Sequence, residues 1–108
     1  MRAWASGLGP IAVAAAIASG AMAAEHTVTM GGSAYGPKTL KAKVGDTIVF
    51  DNDDFDNHVV FVPTVGFGID LGAQKPGEKR SMTLRRAGKL DVECVLHEDM
   101  HMTVEVTQ

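Results

Sequence analysis

The chain has 108 residues and a formal net charge of −3, from 13 acidic side chains against 10 Lys and Arg. That length holds one compact domain, which excludes two-domain enzymes and oxidases assembled from several metal-binding domains. The mildly acidic balance excludes nucleic acid as the main partner, because phosphate binding depends on clustered Lys and Arg.

The chain opens on a leader pattern. Met1-Arg2 is a short positive start, Leu8 to Ala18 is apolar and rich in alanine, and Ala21-Met22-Ala23 has the A-x-A form of a signal-peptidase site. The apolar run is too short and too alanine-rich for a convincing membrane span, although a retained N-terminal anchor is the alternative. The expectation is a signal peptide over residues 1–23, cleaved near Ala23/Ala24, and an exported periplasmic domain over residues 24–108. No stable membrane insertion is expected after cleavage, and loss of Arg2 takes the net charge to −4.

From residue 26 onward the pattern is strands separated by turn signals, without a convincing helix. His26–Met30 alternates polar and apolar residues until Gly31-Gly32 breaks it, Thr39–Ala42 is a short extended piece, and Val44-Gly45-Asp46 reads as a turn. Thr47–Asn52 contains the β-branched and aromatic run Ile48-Val49-Phe50, suited to a buried strand. After the polar connection Asp53–Asn57 comes the apolar strand His58–Val62, ended by Pro63 and followed by a long loop with Gly66 and Gly68. Lys75-Pro76-Gly77-Glu78 is a strong turn signal. Beyond it Ser81, Thr83 and Arg85 alternate with Met82 and Leu84, Lys89–Val95 runs back, and Met102–Thr107 closes the domain. Short strands at this spacing predict an all-β fold, a β-sandwich or barrel of one domain.

Cys94 is the only cysteine in the chain. In an oxidising compartment small domains use cysteines in pairs, so an unpaired one is a buried inert thiol, an intermolecular disulfide or a metal ligand. Its neighbours favour the metal: Cys94-Val95-Leu96-His97-Glu98-Asp99-Met100 carries a thiolate, an imidazole and a thioether in one turn. Two imidazoles and one thiolate in a plane, with a weak axial thioether, make the blue-copper arrangement. His58 is the natural source of the second imidazole, because loops at one end of a sandwich bring distant residues together.

With these residues in place the chain resembles the plastocyanin/amicyanin branch of the cupredoxins over nearly the whole of residues 24–108. The matching motifs are Tyr35-Gly36-Pro37, Leu40, Gly45-Asp46-Thr47-Ile48-Val49-Phe50-Asp51-Asn52, His58, and Cys94-x-x-His97-x-x-Met100 followed by Val104 and Val106. The resemblance implies a Greek-key β-sandwich holding one type 1 copper per chain on His58, Cys94, His97 and Met100. Met102 competes for the axial place at the longer plastocyanin-like spacing. The four-residue step from Met100 to Val104 matches the short-loop form, which leaves Met102 as a packing residue. Asn52 resembles the family asparagine that ties the His58 loop to the ligand loop, the alternative being a turn residue that simply ends its strand, and His97 takes the family role of electron entry point. Val59 and Glu98 depart from the pattern, in which an amide or hydroxyl and a proline are frequent.

The run Asp51 to Asn57 fails the EF-hand pattern, since Phe55 and Asp56 stand where an oxygen ligand and a glycine are needed. It reads as a solvated acidic turn. His101 reads as a surface residue, and cleavage before Ala24 would create Ala24-Glu25-His26, an arrangement able to chelate copper(II). Val65 and Phe67 are open between docking and core packing. The functional expectation is a monomeric, non-enzymatic carrier of single electrons between redox partner proteins. The alternative is a periplasmic copper-handling protein, a chaperone or resistance factor of the same fold, using His101, Met102 and His26 as extra donors.

Overall fold

The computed structural model describes residues 22–108, so the expected leader lies almost wholly outside the described residues. No helix among them is long and apolar enough to cross a membrane. Nine strands follow in order: β1 (Glu25–Gly31), β2 (Ala34–Gly36), β3 (Thr39–Lys43), β4 (Thr47–Asn52), β5 (His58–Val62), β6 (Ile69–Gln74), β7 (Lys79–Thr83), β8 (Gly88–Cys94) and β9 (His97–Thr107). They form a four-stranded sheet, β2-β1-β4-β7, and a five-stranded sheet, β3-β9-β8-β5-β6. The pairs β1/β4 and β3/β9 are parallel, and the others are antiparallel. The chain crosses repeatedly between the sheets, and the architecture is the Greek-key sandwich expected.

Period-two alternation explains which side chains fill the space between the sheets. Ile48, Phe50 and Asn52 point inward from β4, Leu90, Val92 and Cys94 from β8, and Met100, Met102, Val104 and Val106 from β9. Burying one such large apolar side chain stabilises the fold by ~1.5–3 kcal/mol relative to exposure. Tyr35 closes one side, its ring edge-on to Phe50 at 6.1 Å and its hydroxyl donating to the Glu93 carbonyl at 2.9 Å.

Three elements differ from the sequence expectation. The β1–β2 connection is the two-residue turn Gly32-Ser33, with φ of 62° and 56° at its two positions, the geometry of a type I′ hairpin. Residues expected in a long loop form β6, an edge strand whose pairing with β5 shifts between Val59 and Phe61. There Gly72 has φ 75°, and a Cβ would meet Arg80 Nη1 at 2.9 Å, where Arg80 donates to the Leu71 carbonyl. Finally, β9 begins at His97 rather than Met102.

The registers define two ends. His58 lies opposite Gln74 and Cys94 opposite His97 at one end, while Val62 lies opposite Ile69 and Gly88 opposite Val106 at the other. Asp46, at the far end, accepts from Ala24 N–H at 2.9 Å, His26 Nε2–H at 2.8 Å and Lys43 N–H at 3.0 Å. These donors, Ala24 first, hold its carboxyl down at about 2. A carboxyl so lowered contributes stability that is complete above its ordinary value near ~3.9 and is lost as pH falls through the lowered one. Asp46→Asn should therefore melt below wild type at pH 7, with the gap closing between pH 4 and pH 2 in thermal unfolding followed by circular dichroism. A gap that stays constant over that range would contradict the assignment.

Candidate metal centre

His58 opens β5, Cys94 ends β8, and His97 opens β9, so three strand ends deliver three donors to one end of the sandwich. One ligand atom from each lies within 4.8 Å of the other two. Cys94 Sγ stands 3.7 Å from His58 Nδ1 and 3.6 Å from His97 Nδ1. The two rings lie 4.7 Å apart between centroids, tilted by 51°. Sulfur and nitrogen ligands on one ion at ~2.3 Å and ~2.0 Å, spread by a trigonal angle, stand ~3.7 Å apart. The donor set therefore fits a single metal ion, and its thiolate and imidazoles fit copper.

Met100 occupies a special place in the β8–β9 ladder. Cys94 pairs with His97 and Glu93 with His101, so residues 98–100 have no partner across the hairpin and bulge at the ligand end. Met100 points inward from that bulge and is 1 % exposed. Met102 also points inward but lies opposite Val92 in the regular ladder, farther down the core. Because β9 begins at His97, Met102 lies inside the ladder rather than at the first position of the strand, while Met100 stands in the bulge four residues before Val104.

The backbone around the sulfur is committed to it. Val59 N–H points at Cys94 Sγ at 3.4 Å, and Val95 N–H donates to the Val59 carbonyl at 3.0 Å. A side-chain hydrogen bond from residue 59 is absent because the residue is valine, and its main chain serves instead.

Asn52 is fully buried but does not reach the ligand loop, contrary to what the resemblance implies. Its Nδ2 donates to the carbonyls of Asp56 at 2.9 Å and Gln74 at 3.0 Å, and its Oδ1 accepts from Asp54 N–H at 3.0 Å. Asn52 ends β4 in the sheet opposite the ligand hairpin, so its nearest unpaired groups belong to the 53–57 loop and to β6. The link between the ligand loop and β5 is made by Val59 and Cys94.

The acidic run is only partly a solvated turn. Asp54 Oδ2 sits 2.9 Å from the buried Nε2 of His58 and also accepts from Ser33 N–H at 2.8 Å, while Asp54 Oδ1 accepts from Phe55 N–H at 2.8 Å. These donors, Ser33 first, hold the Asp54 carboxyl at about 2. Asp56 Oδ2 lies 3.9 Å from Nε2 of His97, beyond hydrogen-bond distance. The sequence carried one signal for Asp54 that composition hid, its position four residues before His58.

Other residues fall away from the centre. His101 faces solvent and pairs with Asp91 at 3.1 Å. His26 is held by Asp46 at the far end, and the backbone of residues 25 and 26 is extended against β4 rather than wrapped for chelation. Val65 is exposed at the far end, whereas Phe67 packs partly buried against the core beneath Arg86. At the ligand end Phe55, Val95 and Leu96 are exposed.

No family model matches the chain. Among curated proteins it is 33 % identical over 111 residues to the chloroplastic plastocyanin of Fritillaria agrestis, covering 89 % of this chain and 66 % of that protein. The chloroplastic plastocyanin of Pisum sativum is 32 % identical over 109 residues, covering 89 % and 65 %. The chain thus spans just under two thirds of the length of these relatives. Among solved structures, an amicyanin variant in its reduced Cu(I) form at pH 4 superposes with a TM-score of 0.71 at 28 % identity, over 83 % of this chain and 85 % of that one. A purple cupredoxin from Nitrosopumilus maritimus gives 0.69 at 18 % identity, over 75 % and 98 %, a likeness of fold.

The hydrogen bonds of Asn52 predict a stability role. Asn52→Ala leaves groups of the 53–57 loop and the buried Gln74 carbonyl of β6 unpaired and should destabilise the protein by ~2 kcal/mol or more. Urea unfolding would read this as a lower midpoint at unchanged slope; an unchanged midpoint would contradict it.

Proposed function

The chain belongs to the cupredoxin family, in its plastocyanin- and amicyanin-like branch, and from that premise we propose a periplasmic carrier of single electrons. In this reading His58, Cys94, His97 and Met100 hold one type 1 copper, and the chain passes electrons between separate redox partner proteins. The observation that carries the proposal is the convergence of the Cys94 sulfur and two Nδ1 atoms at 3.6 and 3.7 Å. The bound copper would supply a Cu(II)/Cu(I) couple.

The chain's own residues then divide the work. Cys94 supplies the thiolate, nearly buried and met by Val59 N–H, so water is kept from the sulfur. His58 is an inaccessible anchor, with no side-chain exposure and its outer nitrogen occupied by Asp54. His97 retains 27 % side-chain exposure and is the ligand a partner can approach. Phe55, Val95 and Leu96 give the approach an apolar surface, with Glu98 and Asp99 exposed beside it.

Support for a carrier over a copper-handling protein comes from the dispersal of the remaining donors. His101 is turned to Asp91, Met102 is sealed in the core, and His26 belongs to the far end. They form no relay leading the ion away from His58, Cys94 and His97.

The copper-loaded protein should show an intense visible thiolate-to-copper band and reversible one-electron voltammetry. Rapid copper loss to a chelator, without reversible voltammetry, would favour handling instead. Cys94→Ser should abolish the visible band, and a variant that stays blue would sink the ligand assignment. For the axial place, Met100→Leu should shift the reduction potential strongly. Met102→Leu should leave it in place and cost less than ~1.5 kcal/mol of stability, as a volume-conserving core exchange. The reverse pattern would move the axial role to Met102.

A further inference from the structure

The two imidazoles differ in what stands behind them. Among the described residues, the carboxylate facing His97 Nε2 is that of Asp56, at 3.9 Å and with 66 % of that side chain exposed. His58 Nε2 meets a carboxylate at 2.9 Å, fully out of solvent on the histidine side and with 10 % of the carboxylate side chain exposed. That carboxylate accepts two further bonds, from Ser33 N–H and Phe55 N–H, and the main-chain N–H of Asp54 donates to Asn52 Oδ1. Ser33 belongs to the β1–β2 turn, where both residues adopt positive φ and present the N–H toward the 53–57 loop.

We propose that Asp54 is a positioning residue of the metal centre, acting through His58 and anchored by Ser33 in the opposite sheet. Accepting the Nε2–H leaves Nδ1 as the lone-pair nitrogen aimed at Cys94, so one tautomer and one ring orientation are fixed. Carboxylate partners of this kind raise the basicity of a ligating imidazole. Their negative charge also favours the more positive metal state, because electrostatic interactions are strong where water is excluded. Asp54 therefore lowers the reduction potential and ties it to the geometry of the β1–β2 turn. The proposal rests on the copper reading above for its redox consequence, and on hydrogen-bond geometry alone for the tautomer.

The test uses the full copper-loaded protein. Asp54→Asn keeps shape and removes charge, and should weaken Cu(II) relative to Cu(I) binding about tenfold, the lower end for partners behind a metal ligand. For a one-electron couple this is a positive shift of ~59 mV. Asp54→Glu should restore most of the difference, and Asp56→Asn should shift the potential less, since it removes a nearby charge without a hydrogen bond. An Asp54→Asn shift no larger than that of Asp56→Asn overturns the proposal. In the metal-free wild type, nitrogen-15 correlation spectra should show the His58 proton on Nε2, slow to exchange, and its protection should be lost in Asp54→Ala. A proton on Nδ1 instead overturns the proposal without reference to copper. Failure of the wild type to bind copper overturns the functional reading and leaves the spectra to judge Asp54.

Discussion

Holding a nearly buried thiol against two imidazole nitrogens is the constraint on which the ligand end of this protein depends. Buried polar groups are costly unless they are paired, and here the thiol meets the Val59 N–H and the two imidazole nitrogens. The strand ends that carry them must be fixed by other interactions. The β8–β9 hairpin brings Cys94 and His97 together through their pairing, and Val95 N–H to the Val59 carbonyl fastens that hairpin to the strand begun by His58. The bulge over residues 98–100 then lets the chain return to register at His101 while Met100 points inward.

The parallel β1/β4 pair is bracketed by two clamps of the same chemistry. Before β4, Asp46 takes the N–H groups of Ala24 and Lys43 and the ring of His26; after β4, Asp54 takes the N–H groups of Ser33 and Phe55 and the ring of His58. Each carboxylate joins an end of β1 to an end of β4, and both are held at about 2 by charge-assisted bonds. A parallel pair cannot be closed by a tight turn, so side chains must hold its ends. At the far end this bond serves stability. At the ligand end the same device also reaches a donor atom.

Much of this was legible in the sequence, and the omissions have physical causes. The lone Cys94, its spacing to His97 and Met100, and the placement of His58 after a strand and a polar loop pointed to a metal site, and the structure brings His58, Cys94 and His97 together. The strands Thr47–Asn52 and His58–Val62 matched their expected bounds because their apolar and β-branched content is dense. β6 alternates Ile69, Leu71 and Ala73 with Asp70, Gly72 and Gln74, but its glycine at positive φ and the Gly66 and Gly68 before it carry the composition of a loop, and it sits at an edge with a register shift. β2 is three residues long, too short for a periodic signal. Asp54 was hidden among Asp51, Asp53 and Asp56, since composition does not say which member of an acidic run turns inward. Asn52 was assigned the wrong partner because hydrogen bonds made across loops depend on the sheet to which each loop belongs.

The inequality of the two imidazoles connects these observations to function. An imidazole whose outer nitrogen is bound and buried is locked, so any adjustment at the centre falls on the other side. His97, with its outer nitrogen beyond hydrogen-bond reach of Asp56 and part of its ring in solvent, is the imidazole open to a neighbour. For an electron carrier this division is useful: the buried side sets the energy of the couple, and the exposed side sets access to it. Glu98 and Asp99 follow His97 directly, while Phe55, Val95 and Leu96 lie exposed at the same end. A partner approaching His97 would therefore meet apolar contact with negative charge beside it, and a surface with basic residues around an apolar centre complements that arrangement. Charges at the margin of such a surface act mainly on the rate of encounter, whereas Asp54, sealed behind His58, acts on the centre itself. The two sets of carboxylates can then be changed independently, one altering association and the other altering the potential.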